Sequence, residues 1–128
     1  VLKPTRPHAL HYDLPTETLA GRLRATAGSR PHDVAVIDDA VALTYEELLS
    51  AAARVAAGLR ARGVEPGDRV VTQLPNWWEA VAVSWGVFLA GAVLVPVVPI
   101  YRAHELRFIV EQVSAAAVVA PAEFRSYP

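Results

Sequence analysis

The side chains of this 128-residue sequence best suited to chemistry are His8, His11, His32 and His104, the serines Ser50 and Ser84, and the carboxylate pairs Asp38-Asp39 and Glu46-Glu47. Trp77, Trp78 and Trp85 form an aromatic group beside them. His8 and His11 would share a face if helical, but Pro7 and the irregular surroundings argue against a helix, and no third ligand completes a metal site. Neither serine stands in the G-x-S-x-G frame of a nucleophile elbow. Asp38-Asp39 reads as a turn, and Glu46-Glu47 as the first turn of a helix, where carboxylates meet the positive dipole end. Trp78 and Trp85 lie seven positions apart and so share a helix face, which suits core packing better than an acyl pocket. No G-x-G-x-x-G follows a strand and no G-x-x-x-x-G-K-[ST] occurs. The turn Leu74-Pro75-Asn76 offers N–H groups at a helix start without the glycines that let a phosphate come close. Read alone, these residues describe no active site.

The elements that would position them are easier to read. Residues 1–12, VLKPTRPHALHY, form an extended arm, and Thr16 is placed to cap a helix through Leu19, Leu23 and Ala27 that ends at Gly28. A hairpin follows, with residues 34–37 and 41–43 as strands. Thr44-Tyr45-Glu46-Glu47 fits a capping box: hydroxyl and carboxylate each accept an N–H that the helix leaves unpaired. Leu48, Leu49, Ala52, Val55, Ala56 and Leu59 then recur at helical spacing, and Gly63 supplies a left-handed cap. Residues 69–74 form a strand. Asn76 caps a second helix, over 77–90, that is apolar almost all round and therefore buried on several sides. The continuous apolar run at 93–98 is the mark of a strand covered on both faces. A helix over 103–113 turns Leu106, Ile109, Val110 and Val113 inward, and residues 116–120 make a further buried strand. Alternation of this kind predicts an α/β fold: a parallel sheet with right-handed crossovers and helices on both faces, preceded by an N-terminal arm, helix and β-hairpin. The organisation expected is an arm and helix over 1–30, then an incomplete α/β portion over 31–128.

Composition narrows the class. Hydrophobic residues make up 53% and charged residues 20%, as in a globular chain long enough to bury a core. A net charge of −1 gives no electrostatic case for nucleic acid, and the absence of cysteine excludes disulfides and thiolate metal sites. Residues 80–101 contain no charge, yet Gly86, Gly91, Pro96 and Pro99 interrupt them, so a buried helix and strand is the reading rather than a membrane span. With no secretory or lipidation signal visible, a cytoplasmic location is expected.

Several motifs, in order, resemble one family. LTYEEL at 43–48, GVEPGDRV at 63–70, LPN at 74–76, AGAVLVP at 90–96 and PIYRAHEL at 99–106 are together similar to the opening segment of the adenylate-forming acyl-CoA synthetases, the AMP-binding enzymes. The resemblance covers residues 31–128 and is closest to ligases for medium-chain, alicyclic or aryl acids. It implies a parent enzyme that joins a carboxylic acid to ATP, releases pyrophosphate and passes the acyl group to coenzyme A, with Mg2+ as cofactor. The family's Ser/Thr/Gly-rich loop, Tyr-x-x-Thr-Glu segment, ribose-binding Asp and C-terminal lysine all fall beyond Pro128, so the 128-residue piece is expected to be inactive alone. In the acetyl-CoA synthetase branch, the stretch matching 98–102 borders the coenzyme A nucleotide, and an arginine at the place of Arg125 meets its phosphate. Tyr101, Arg102 and Arg125 are thereby the candidate coenzyme A contacts, although Ile100-Tyr101 departs from that branch's small residues. Two other readings stand beside this one: a noncatalytic interaction or dimerisation module, and an adenylation enzyme that loads a carrier protein. Apolar surface left open by a partial sheet would favour self-association.

Overall fold

The computed structural model describes residues 16–39 and 41–123. Helix α1 (Leu19–Ser29) begins at Thr18, whose Oγ1 accepts the Gly21 N–H at 3.0 Å. The cap is therefore Thr18 and not Thr16: Thr18 stands three residues ahead of Gly21, the spacing of an N-cap from the third helical N–H. Gly28 stays helical and the helix closes one residue later, with the Arg30 N–H donating to the Thr26 carbonyl at 2.8 Å. Leu23 and Ala27 are buried as their spacing predicts. The expected arm lies outside the described residues.

Strands β1 (Val34–Asp38) and β2 (Val41–Thr44) pair antiparallel, with a register shift between Val34 and Val36. Helix α2 (Tyr45–Ala61) then starts on a complete capping box. The Glu47 N–H donates to Thr44 Oγ1 at 3.3 Å, and the Thr44 N–H donates to Glu47 Oε2 at 2.8 Å. At the far end Gly63, at φ +87°, lets its N–H reach the Arg60 carbonyl while the Val64 N–H reaches that of Leu59.

Three parallel strands form the second sheet: β3 (Arg69–Thr72), β4 (Val93–Pro96) and β5 (Ala117–Val119), in the order β4-β3-β5. Helix α3 (Trp78–Ala90) joins β3 to β4, and α4 (Ala103–Val113) carries the chain from β4 back over β3 to β5. The two crossovers run in opposite directions across the sheet, so right-handed connections place α3 and α4 on opposite faces. Burial of β3 agrees: Val70 joins the core beneath α2 and α3, and Val71, on the other face, is equally inaccessible at 0%.

The core lies mainly between α2 and α3. Ala52, Ala56 and Leu59 meet Val83, Val87 and Leu89, and the contact is close enough that a Cβ on Gly86 would stand 2.5 Å from Val55 Cβ. Within α3 only Glu79 is exposed, as its apolar surround predicts. The outer strands differ from expectation. Val93 of β4 and Val118 of β5 are 49% and 44% exposed, because each strand pairs only with β3 among the described residues. Helix α4 presents Leu106, Ile109, Val110 and Val113 as its half-buried face, but none of its residues is fully buried. No helix among the described residues is long and apolar enough to cross a membrane.

Candidate functional site

Parallel sheets bind ligands outside the carboxyl ends of their strands, where loops and helix starts converge. Here that end is built by the chain leaving β3, residues 97–102 leaving β4, and the start of α4. The β3 ladder continues one step past Thr72, with the Gln73 N–H donating to the Val119 carbonyl at 2.9 Å and the Val97 N–H to that of Thr72 at 2.8 Å. Pro75, without an N–H, turns the chain away, and the strand is shorter than the run to Leu74 suggested.

Tyr101 and Arg102 come together at the start of α4. Arg102 is its N-cap residue and donates its backbone N–H to Glu105 Oε2 at 3.0 Å; a guanidinium, with donors only, has no acceptor to return the bond. Glu105 is held below the usual carboxylate range, first by its own backbone N–H and next by that of Arg102, with smaller contributions from the charges of His104 and Arg102. Tyr101, His104, Glu105, Phe108 and Ile109 line a shallow groove of about 370 Å3. The groove joins an aromatic ring, an imidazole and an apolar wall, a surface suited to a ligand with both polar and flat apolar parts. Arg125 lies outside the described residues, as do His8 and His11.

The remaining candidates take structural places. Trp78 and Trp85 pack against the cluster of Leu23, Leu48, Ala51 and Ala82, and Trp85 meets Phe88 edge-on with centroids 5.8 Å apart. Ser84 donates to the Ala80 carbonyl within its own helix at 2.7 Å. His32 faces Glu46 at 3.9 Å on the surface. Among the described residues no three His, Cys, Asp or Glu side chains are grouped to hold a metal ion. Two residues bond to partners far along the chain. Asp38, assigned only to a turn, accepts the Trp78 N–H at 2.8 Å, so α3 is capped from the hairpin and not by Asn76. Gln73 donates from Nε2 to the carbonyls of Val98 and Tyr101. Its one sequence signal is an amide directly after a β-branched strand and before Leu-Pro-Asn.

The model of the AMP-binding enzyme family matches residues 23–127. The chain is 36% identical over 110 residues to 2-hydroxy-7-methoxy-5-methyl-1-naphthoate–CoA ligase of Streptomyces carzinostaticus, covering 86% of this chain and 20% of that one. It is 35% identical to the medium-chain fatty-acid–CoA ligase of Escherichia coli K12, covering 84% and 19% respectively. A crystal structure of the nonribosomal peptide synthetase FmoA3 with AMPPNP superposes with a TM-score of 0.83 at 31% identity, over 89% of this chain and 12% of that one. The chain thus spans about a fifth of the length of these curated relatives. Its fold, the order of its motifs and the extent of the match make it a member of the AMP-binding enzyme family.

Proposed function

We propose that the chain is the N-terminal part of an ATP-dependent acid–CoA ligase. The observation that carries this reading is the family match over residues 23–127, joined to relatives named as CoA ligases for aryl and medium-chain acids. In such a reaction a carboxylate oxygen attacks the α-phosphorus of ATP and pyrophosphate leaves. The thiol sulfur of coenzyme A then attacks the acyl carbon, the bond to AMP breaks, and the thiol proton is released. Mg2+ would serve the first step by neutralising phosphate charge.

Tyr101, Arg102 and Arg125 are proposed to face coenzyme A. A guanidinium pairs with phosphate in a fixed fork, and the Tyr101 ring offers a flat face beside it. The family's ATP-handling motifs are expected on the rest of the enzyme, and the 128 residues alone are expected to be inactive. The complete enzyme is expected in the cytoplasm.

The test is acid-dependent pyrophosphate exchange by the complete enzyme, followed by a choice of acceptor. Thioester formation with free coenzyme A supports the ligase. Exchange without coenzyme A turnover, but with transfer to a phosphopantetheinyl carrier protein, would favour the second reading, to which the likeness to FmoA3 lends support. No exchange with any carboxylic acid would overturn both.

A further inference from the structure

Gln73 bonds to both neighbours of the strand it follows. Its backbone N–H extends the β3–β5 ladder to Val119 at 2.9 Å. Its side chain crosses to the exit of β4, where Nε2 donates to the Val98 carbonyl at 3.2 Å and to the Tyr101 carbonyl at 2.8 Å. A carboxamide nitrogen carries two N–H groups, and this loop takes both. The acceptors lie 25 and 28 positions further along the chain, so these bonds are tertiary ties and not local turn chemistry.

The loop has few other restraints of its own. Val98, Ile100 and Tyr101 are 51%, 68% and 41% exposed, so burial does not fix it. The backbone bond across the turn, from the Tyr101 N–H to the Val98 carbonyl, is long at 3.3 Å. The two Gln73 bonds close the same turn from outside. Arg102 follows directly and opens α4, so the position of the Tyr101 carbonyl sets where the tyrosine ring and the guanidinium start.

We propose that Gln73 is a positioning residue for the coenzyme A step: by clamping residues 98–101 it fixes Tyr101 and Arg102 for the incoming nucleotide without touching it. The inference rests on the proposed role of Tyr101 and Arg102. It separates the two half-reactions, because the proposed function gives neither of those residues a part in adenylation.

The experiment uses the complete enzyme with Gln73→Glu, which keeps the length but offers only acceptors to two carbonyls, and Gln73→Ala, which removes the clamp without repulsion. Arg102→Ala is run beside them. The expected result is a KM for coenzyme A raised about tenfold in both Gln73 variants, as loss of two neutral hydrogen bonds allows. Pyrophosphate exchange and the KM for the acid should stay within about twofold of the parent on the same scale. If Arg102→Ala raises the coenzyme A KM and neither Gln73 variant does, the positioning role is overturned and the coenzyme A reading stands. If the Gln73 variants raise it and Arg102→Ala does not, the clamp stands and the contact reading for Arg102 falls. No change in any variant overturns both. An equal loss of exchange and thioester formation, or failure of both Gln73 variants to fold, makes Gln73 a structural residue and overturns the proposal.

Discussion

Asp38 and Trp78 are 40 positions apart, yet the Asp38 carboxylate accepts the first N–H of α3 at 2.8 Å. The hairpin thereby supplies the cap that the preceding loop lacks, since Trp77 offers no side-chain cap bond. Asp38→Ala is expected to destabilise the chain by about 1 kcal/mol, and Asn76→Ala by much less. Urea unfolding of the two variants checks this; an Asn76→Ala cost equal to that of Asp38→Ala would return the cap to the local residue.

Gly86 has no room for a side chain. A Cβ there would lie 2.5 Å from both Cβ and Cγ1 of Val55 and 3.0 Å from the Ala52 carbonyl oxygen. Gly86→Ala should therefore cost about 1–3 kcal/mol by overpacking, with part recovered when Val55→Ala is added. A double-mutant cycle measures the coupling, and simple additivity would mean that α2 and α3 move apart instead.

Two other glycines should respond with opposite signs. Gly91 leaves α3 at φ +79° with Pro66 Cβ 3.2 Å from where its own Cβ would be, so Gly91→Ala is destabilising by about 1 kcal/mol or more. Gly28 lies within α1 with open space around it, and Gly28→Ala should stabilise by roughly 0.5–1 kcal/mol. Thermal unfolding of the pair settles the signs.

The Thr44 backbone N–H, and then its hydroxyl, hold the Glu47 carboxyl below the usual range. A lowered value means that the charged form is favoured in the folded chain. Its contribution is complete above the unfolded carboxyl value of about 4.3 and disappears as pH falls through the folded value. The stability gap between the parent and Glu47→Gln should thus be full near about pH 6 and close in acid. Carboxyl NMR titration checks the direction, and a Glu47 titration above the ordinary range would contradict it.

Local grammar was legible where cause and effect sit within one turn of helix. Thr44 and Glu47 are three residues apart and form the box that their types imply, and Gly63 and Gly91 end helices at positive φ. The candidate contacts Tyr101 and Arg102 likewise fall at a helix start because their neighbours set it. What escaped was long in range. The Arg60 guanidinium, in the last turn of α2, donates to the Leu89 carbonyl of α3. Asp38 and Gln73 act over 25 positions or more. Nothing in periodicity or capping rules encodes such a partner. The exposure of β4 and β5 was hidden for a related reason: an apolar run signals a strand meant for burial, and the run itself does not contain the strand that buries it.

The central place of β3 has a consequence for the chain as it is made. Both of its edges depend on strands still to come, and the second, β5, ends 47 positions later, at Val119 against Thr72. At synthesis rates of about 5–20 residues per second, β3 spends roughly 2–9 s outside or near the ribosome exit with a β-branched edge unpaired. Residues 69–72 are then a template for strand pairing between nascent chains, and among the described elements α1, the hairpin and α2, complete by Ala61, are already made and can shelter it.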